Sequence, residues 1–326
     1  MNIPPKYQIT PQILELISKI DANLIYLSSM KLPVVINNKI QRNSLLKSSL
    51  YSARIEGNSL TYEQIHDGKN ETDEKKEIFN ILKAVQFVEN TNFSSNITLK
   101  TILTLHSLVL FGLSNSGSLF RTEPSAIFNN AGVAVYITPS PNKISQLVKQ
   151  MLQYSNSKNE QFPLINAFIS HLIFEKIHPF LDGNGRVGRL LIFTILKSKN
   201  KNSPFFIPFE EYLDDKRQEY YFHLDNGLKN TNNYLIFMLR AFYEQTEKTK
   251  QIIVDEIGKD QYLLTPRQEE IFNIIKDHKI ISFDEIKRRF LKVPARTLSY
   301  DIKKLINKKI VAKIGETKGT YYKIIS

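Results

Sequence analysis

Apolar positions recur at helical spacing along most of the first two thirds of the chain. Ile13, Leu14, Ile17, Ile20, Leu24 and Leu27 follow Thr10-Pro11, a good helix start. The same periodicity predicts helices over about 39–56, ended by Gly57-Asn58, then over 73–89 and 99–110. The texture then changes: Ile127 to Ile137 is β-branched with turn residues in its middle, which predicts a short hairpin closed by Thr138-Pro139-Ser140-Pro141. Helical patterns resume over 142–154, 162–176, 186–199, 214–226 and 233–256. A linker near Gly258-Lys259-Asp260 leads to helices opening at Thr265-Pro266, Ser282 and Pro294, and then to strands over 311–314 and 321–325. The expected fold class is mainly α, with little strand.

With 326 residues, 42% of them hydrophobic, the chain can bury a sizeable core in two or three folding units. The absence of cysteine excludes disulfides, thiolate metal sites and cysteine nucleophiles, and fits a reducing compartment. Met1-Asn2-Ile3-Pro4-Pro5-Lys6 lacks the basic-then-apolar pattern of a secretory leader, and the most apolar run, Arg189 to Lys197, is too short to span a bilayer. A cytoplasmic protein without membrane contact is expected. The net charge of +12 is uneven: residues 265–326 hold 15 Lys and Arg against 7 Asp and Glu.

The chemistry concentrates in His178-Pro179-Phe180-Leu181-Asp182-Gly183-Asn184-Gly185-Arg186-Val187-Gly188-Arg189, a polar loop between two strongly apolar helices. Asn184 between Gly183 and Gly185, at a helix start, predicts an anion nest: glycine lets backbone amides approach a ligand, and the helix end supplies free N–H groups. Arg186 and Arg189 are three apart, on one helix face, and can grip two phosphates. Asp182 offers a hard oxygen ligand suited to Mg²⁺, and His178 a base near neutral pH. Together they point to phosphoryl or nucleotidyl transfer. No Gly-Lys-Ser/Thr follows, so the loop is not a Walker A. Taken singly, each residue also fits an ordinary helix–turn–helix corner.

This stretch fully matches the pattern His-x-Phe-x-Asp/Glu-Gly-Asn-Gly-Arg-x-x-Arg, and the sequence here resembles the Fic family over roughly residues 52–234. The resemblance implies a Fic-type helical core that transfers AMP from Mg-ATP to Ser, Thr or Tyr hydroxyls of target proteins. It implies His178 as the base, Asp182 as the Mg²⁺ ligand, and Asn184 with the Gly183 and Gly185 amides as the phosphate cradle. Arg186 and Arg189 would bind the β- and γ-phosphates, and Phe180 would anchor the loop. The hairpin at 127–137 is similar in position to the family's flap, which pairs with a target segment.

Ser52-Ala53-Arg54-Ile55-Glu56-Gly57 places Ser52 and Glu56 one turn apart, with a carboxylate opposing the helix dipole. Local chemistry alone reads a surface glutamate. The segment is similar to the family's inhibitory motif, which implies an inhibitory helix over about 39–57 whose Glu56 pairs with Arg189 and takes the place of the ATP γ-phosphate.

The last three helices and two strands resemble a winged helix-turn-helix, and Arg296, Lys303, Lys304 and Lys308 suit phosphate contacts with DNA. The alternative is a module that docks proteins or a second copy in a homodimer. The expected layout is residues 1–90 with the inhibitory helix, a catalytic core over 91–256 and the winged domain over 260–326. Two competing functions fit parts of the sequence: a DNA-binding transcriptional regulator whose Fic part only senses nucleotide, and a di-iron protein built on Glu63-Gln64-Ile65-His66 and Glu175-Lys176-Ile177-His178. His171 reads as a structural neighbour of His178.

Overall fold

The computed structural model describes the chain except Lys31 and residues 67–71, 94–95, 114–118, 129–133, 202–205, 258–263, 316–319 and 326. In chain order the elements are α1 (Pro11–Ser29), α2 (Val34–Ile55), α3 (Tyr62–His66), α4 (Asp73–Asn90), α5 (Leu99–Val109), β1 (Ala126–Phe128) and β2 (Ala134–Ile137). They continue with α6 (Pro141–Asn156), α7 (Pro163–Ile177), α8 (Asn184–Ser198), α9 (Glu210–Asp215), α10 (Arg217–Asn226) and α11 (Thr231–Ile257). The last group is α12 (Pro266–His278), β3 (Ile280–Ser282), α13 (Phe283–Arg289), α14 (Ala295–Asn307), β4 (Val311–Ile314) and β5 (Tyr321–Ile324). The fold is mainly helical. Among the described residues, no helix is long and apolar enough to cross a membrane.

Two compact units divide the chain: residues 1–29 with 42–250, and residues 30–41 with 251–326. At the centre of the first unit lie α7 and α8. Every residue of α7 from Leu164 to Ile177 is buried, so this helix has neighbours on every side. A strand pair, β1 and β2, runs antiparallel with Ile127 opposite Tyr136 and an irregularity before Phe128. The turn expected in this hairpin lies outside the described residues.

In the second unit α12, β3, α13, α14, β4 and β5 surround Ile271, Phe272, Ile275, Ile281, Ile286, Leu298, Ile302, Leu305 and Val311. The sheet order is β3-β5-β4, all antiparallel. Ser282 and Thr265 each close a reciprocal cap with the residue three further on, Glu285 and Gln268.

Three departures from the sequence reading have simple causes. The helix expected over 214–226 is two, α9 and α10, because the backbone at Lys216 leaves helical geometry (φ −112°, ψ 36°). The Glu63–His66 stretch, which falls between the helices expected over 39–56 and 73–89, lies in the one-turn helix α3. Strand β3, three residues long, is too short to display a period and exists through its pairing with β5.

Candidate active site

The loop between α7 and α8 is shaped by two residues with positive φ. His178 caps α7 in the left-handed region (φ 49°, ψ 62°), its N–H donating to Phe174 O at 2.9 Å. Gly183 enters α8 with φ 80°, which a side chain would oppose. Phe180 is 1% exposed and stacks on the His106 ring at 3.8 Å, so the loop is pinned to α5. His106 Nε2 also meets Asp182 O at 3.1 Å.

The structure brings the predicted residues together, and it adds partners. Asn184 does not present its side chain to the loop's open face. Its Oδ1 accepts from Phe180 N at 2.9 Å and its Nδ2 donates to Phe180 O at 2.8 Å, closing the loop on itself. Arg186 reaches Glu77 Oε1 on α4 at 2.5 Å and Asp182 Oδ1 at 2.6 Å. Asp182 Oδ1 also accepts from Gly183 N at 2.5 Å, whereas its Oδ2 has no such bond among the described residues. The Asp182 side chain is 60% exposed, so that second oxygen faces outward.

Arg189 is buried against α2. Its Nε donates to Ser52 Oγ at 3.0 Å, and its Nη2 donates to Ser52 O at 2.8 Å and to Glu56 Oε1 at 2.9 Å. Glu56 follows the last residue of α2, and Gly57 turns the chain away with φ 106°. A Cβ at Gly185 would meet Glu56 Oε1 at 2.2 Å, so the carboxylate rests against the first turn of α8. An anion therefore already fills the seat formed by the helix N-terminus and Arg189. Further contacts hold this end of α2: Tyr221 Oη donates to Ile55 O at 3.0 Å, and Arg54 pairs with Asp214 at 3.0 Å.

Burial pushes the His178 imidazole below its ordinary value, the Glu175 carbonyl opposes this, and the Arg121 charge adds to the depression. Its Nδ1 is buried without a partner among the described residues. The ring is thus neutral and able to take a proton at physiological pH. Burial also works against the Arg189 charge, but Glu56 and the neighbouring tyrosines more than restore it.

Beneath Arg189 lies a buried polar group. Tyr234 Oη donates to Phe168 O at 3.1 Å, so it accepts from His171 Nδ1 at 2.6 Å, and His171 Nε2 accepts from Tyr220 Oη at 3.2 Å. Glu175 is buried 3.7 Å from His171 Nε2, and burial pushes its carboxyl up to about 8. A Cβ at Gly188 would meet Glu175 Oε1 at 2.0 Å, so that glycine makes room for the carboxyl. Among the described residues no three His, Asp or Glu side chains gather as a metal cluster.

Sequence reasoning missed Glu77, Asp214 and Arg121. Glu77 and Asp214 carry no local signature, since their partners are 109 and 160 positions away. Arg121 binds mostly backbone oxygens, which any sequence supplies.

A helical scaffold with an imidazole, an arginine-lined anion seat and an exposed carboxylate has the donors and charges that suit phosphate groups. Residues 96–196 match the family model described as Fic/DOC family. Curated relatives named Protein adenylyltransferase Fic from Drosophila mojavensis and Drosophila grimshawi are 31% and 30% identical over 224 and 225 residues, 65% of this chain in each case. This chain spans less than half of their length, 41% and 43%. Among solved structures, a Fic family protein from Desulfovibrio desulfuricans G20 shares the fold over 98% of both chains (TM-score 0.67, 22% identity). Fic-1 (residues 134–508) from C. elegans does so over 76% of this chain and 73% of its own (TM-score 0.61, 20% identity). The match to the Fic/DOC family thus lies over residues 96–196, and the fold is one that solved Fic proteins share.

Proposed function

We propose that the chain transfers AMP from Mg-ATP to a Ser, Thr or Tyr hydroxyl of a target protein in the cytoplasm, and that Glu56 restrains it. The observation that carries this reading is the seat of the Glu56 carboxylate, on Arg189 and against Gly185, one loop from a neutral imidazole. Donors that hold a carboxylate there suit a terminal phosphate equally. The names of the Drosophila relatives supply the reaction class.

In this reading the target hydroxyl gives its proton to His178 as its oxygen attacks the α-phosphorus. A new oxygen–phosphorus bond forms, the bond to the bridging oxygen breaks, and pyrophosphate leaves with that electron pair. Arg186, Arg189 and the free N–H groups of α8 hold the outer phosphates, while Asn184 keeps the loop closed. Asp182 Oδ2 would hold Mg²⁺, which needs few protein ligands beside phosphate and water; when bound, the ion neutralises phosphate charge. The β1–β2 hairpin offers a strand edge to an extended target segment.

The purified chain and its Glu56→Gly variant, each incubated with ATP labelled at the α- or the γ-phosphate, test this. The α label should stay on protein, the γ label should not, and His178→Ala should retain neither. Retention of the γ label, or of no label at all, overturns the reading.

The second unit favours a further role in binding duplex DNA. Arg296, Ser299, Tyr300, Lys303, Lys304 and Asn307 are exposed on α14, and Lys287, Arg288 and Arg289 are exposed on α13. The one carboxylate of α14, Asp301, turns inward to Arg267 (2.5 Å) and Gln268 (2.9 Å), which leaves the outer face free of negative charge. Binding to mixed-sequence duplex, followed by anisotropy, should weaken steeply with salt, with a slope of about −4.5 for about five phosphate contacts. Binding indifferent to salt excludes it.

A further inference from the structure

Arg121 precedes β1 and is 3% exposed, yet it lies within none of the motif residues. All three nitrogens of its guanidinium donate. Nε reaches His178 O at 2.8 Å, and Nη1 reaches Glu123 O at 2.7 Å. Nη2 reaches Thr138 Oγ1 at 2.8 Å, Pro139 O at 2.6 Å and, more loosely, Ile177 O at 3.5 Å. Its backbone N–H donates to Pro179 O at 2.9 Å. Thr138 passes the tie onward, its Oγ1 donating to Ser125 O at 2.7 Å.

Two consequences follow from these bonds. The first concerns His178. A residue with a Cβ enters the left-handed region at a cost, and stays there only where its surroundings enforce it. The His178 N–H is held by Phe174, and its carbonyl is held by Arg121, so the guanidinium fixes the peptide that aims the imidazole. The second concerns the hairpin. Glu123, Ser125, Thr138 and Pro139 flank β1 and β2, so the same side chain fixes the root of the strands. Only a planar fork with five N–H groups can serve acceptors spread over this arc.

We propose that Arg121 is a positioning residue for the transfer reaction, binding the His178 backbone and the root of the β1–β2 hairpin into one rigid body. This rests on the AMP-transfer reading above. A target segment laid on the hairpin would then meet the imidazole at a fixed distance. The nucleotide seat on α8 shares none of these bonds, so Arg121 acts on the speed of transfer and not on ATP affinity.

Charge gives a second handle. The groups acting on the His178 ring, besides burial, are the Glu175 carbonyl and Lys176 of α7, Glu56 after α2, and Arg121. Arg121 and Lys176 disfavour the imidazolium, whereas Glu56 and the carbonyl favour it. Removing the Arg121 charge therefore raises the proton affinity of His178, while exchanging it for lysine keeps the charge and loses the fork.

The test uses the full chain carrying Glu56→Gly, with self-labelling from α-labelled ATP as readout, and compares Arg121→Met, Arg121→Lys and Thr138→Val. Arg121→Met should lower the maximal rate by about a hundredfold or more, the scale of a misplaced catalytic group. Half-saturating ATP should stay within about twofold, since chemistry and not uniform binding is affected. Its acid limb should move to higher pH. Arg121→Lys should slow the reaction with the acid limb unmoved, and Thr138→Val should slow it least. Maximal rates within about twofold of the parent, or a rise in half-saturating ATP that accounts for the whole loss, overturn the proposal. NMR titration of the His178 ring without nucleotide gives a reading independent of turnover: its midpoint should rise in Arg121→Met and hold in Arg121→Lys. If the Glu56→Gly parent itself fails to label, the transfer reading falls, and an unmoved midpoint in Arg121→Met sinks the hold of Arg121 on His178 separately. Should Arg121→Met fail to fold, the ordering of the lysine and Thr138→Val variants decides.

Discussion

Replacing Glu56 with glycine removes one of the three bonds that Arg189 makes to the end of α2 and empties the anion seat at α8. The lost contact joins a guanidinium 1% exposed to a carboxylate 28% exposed, at 2.9 Å. A charge-assisted hydrogen bond in such a half-open setting contributes about 1.5–3 kcal/mol. At ATP concentrations below saturation this corresponds to roughly 10- to 150-fold faster labelling, at tenfold per 1.4 kcal/mol. The stability cost is no larger than that contact. Ser52 keeps its two bonds at 3.0 and 2.8 Å, so the buried charge is not orphaned, and about 1.5–3 kcal/mol is expected in place of the 3–5 kcal/mol of a stripped ion pair. The assay is initial-rate labelling across an ATP series, beside thermal unfolding with and without Mg-ATP. ATP should raise the melting temperature more in the variant than in the parent, because binding no longer competes with an internal anion. Equal labelling by the two proteins at every ATP concentration would refute the reasoning.

Because burial holds the His178 ring below 6.5, the acid limb of the pH–rate profile of Glu56→Gly should lie below pH 6.5, and His178→Ala should be inactive at every pH. Stability should peak in mildly acid solution. His171, pushed down to about 3 by burial, stays neutral in the fold while its unfolded counterpart takes a proton, so stability falls as pH drops below 6.5. Glu175 and Glu210, each pushed up to about 8, stay protonated while their unfolded counterparts ionise, so stability also falls as pH rises from 4.5 toward 8. A melting-temperature maximum between pH 4.5 and 6.5, with a flatter alkaline side in Glu175→Gln, checks both signs. Gly188→Ala should destabilise by about 1–3 kcal/mol in urea unfolding, since its Cβ would land 2.0 Å from the buried Glu175 Oε1.

The helices were readable because each buries one stripe or, for α7, its whole surface, and burial writes itself into residue type. The active loop was readable for a different reason: His178 to Arg189 are contiguous, so their proximity follows from the chain. The Glu56–Arg189 bond at 2.9 Å lay in reach only through resemblance, because 133 positions separate the partners. Arg121 was silent since its acceptors are nearly all carbonyls, and a carbonyl looks alike under every side chain. Asn184 has a second partner that its glycine-flanked place at a helix start does not announce: its amide matches the Phe180 peptide four positions back. The Lys216 break was hidden because both flanking segments, α9 and α10, are good helix formers.

The carboxylate in the seat of α8 belongs to the same molecule, and this sets how it can be overcome. Dilution cannot weaken it, and its local abundance, like that of any ligand on a short tether, is on the order of millimolar or higher. Under the proposed AMP transfer, a nucleotide would meet a competitor whose abundance never varies, so occupancy would track the ATP supply gradually. Any factor that drew the end of α2 away would lower that abundance for every copy it touched, which would make the tether itself the point of control.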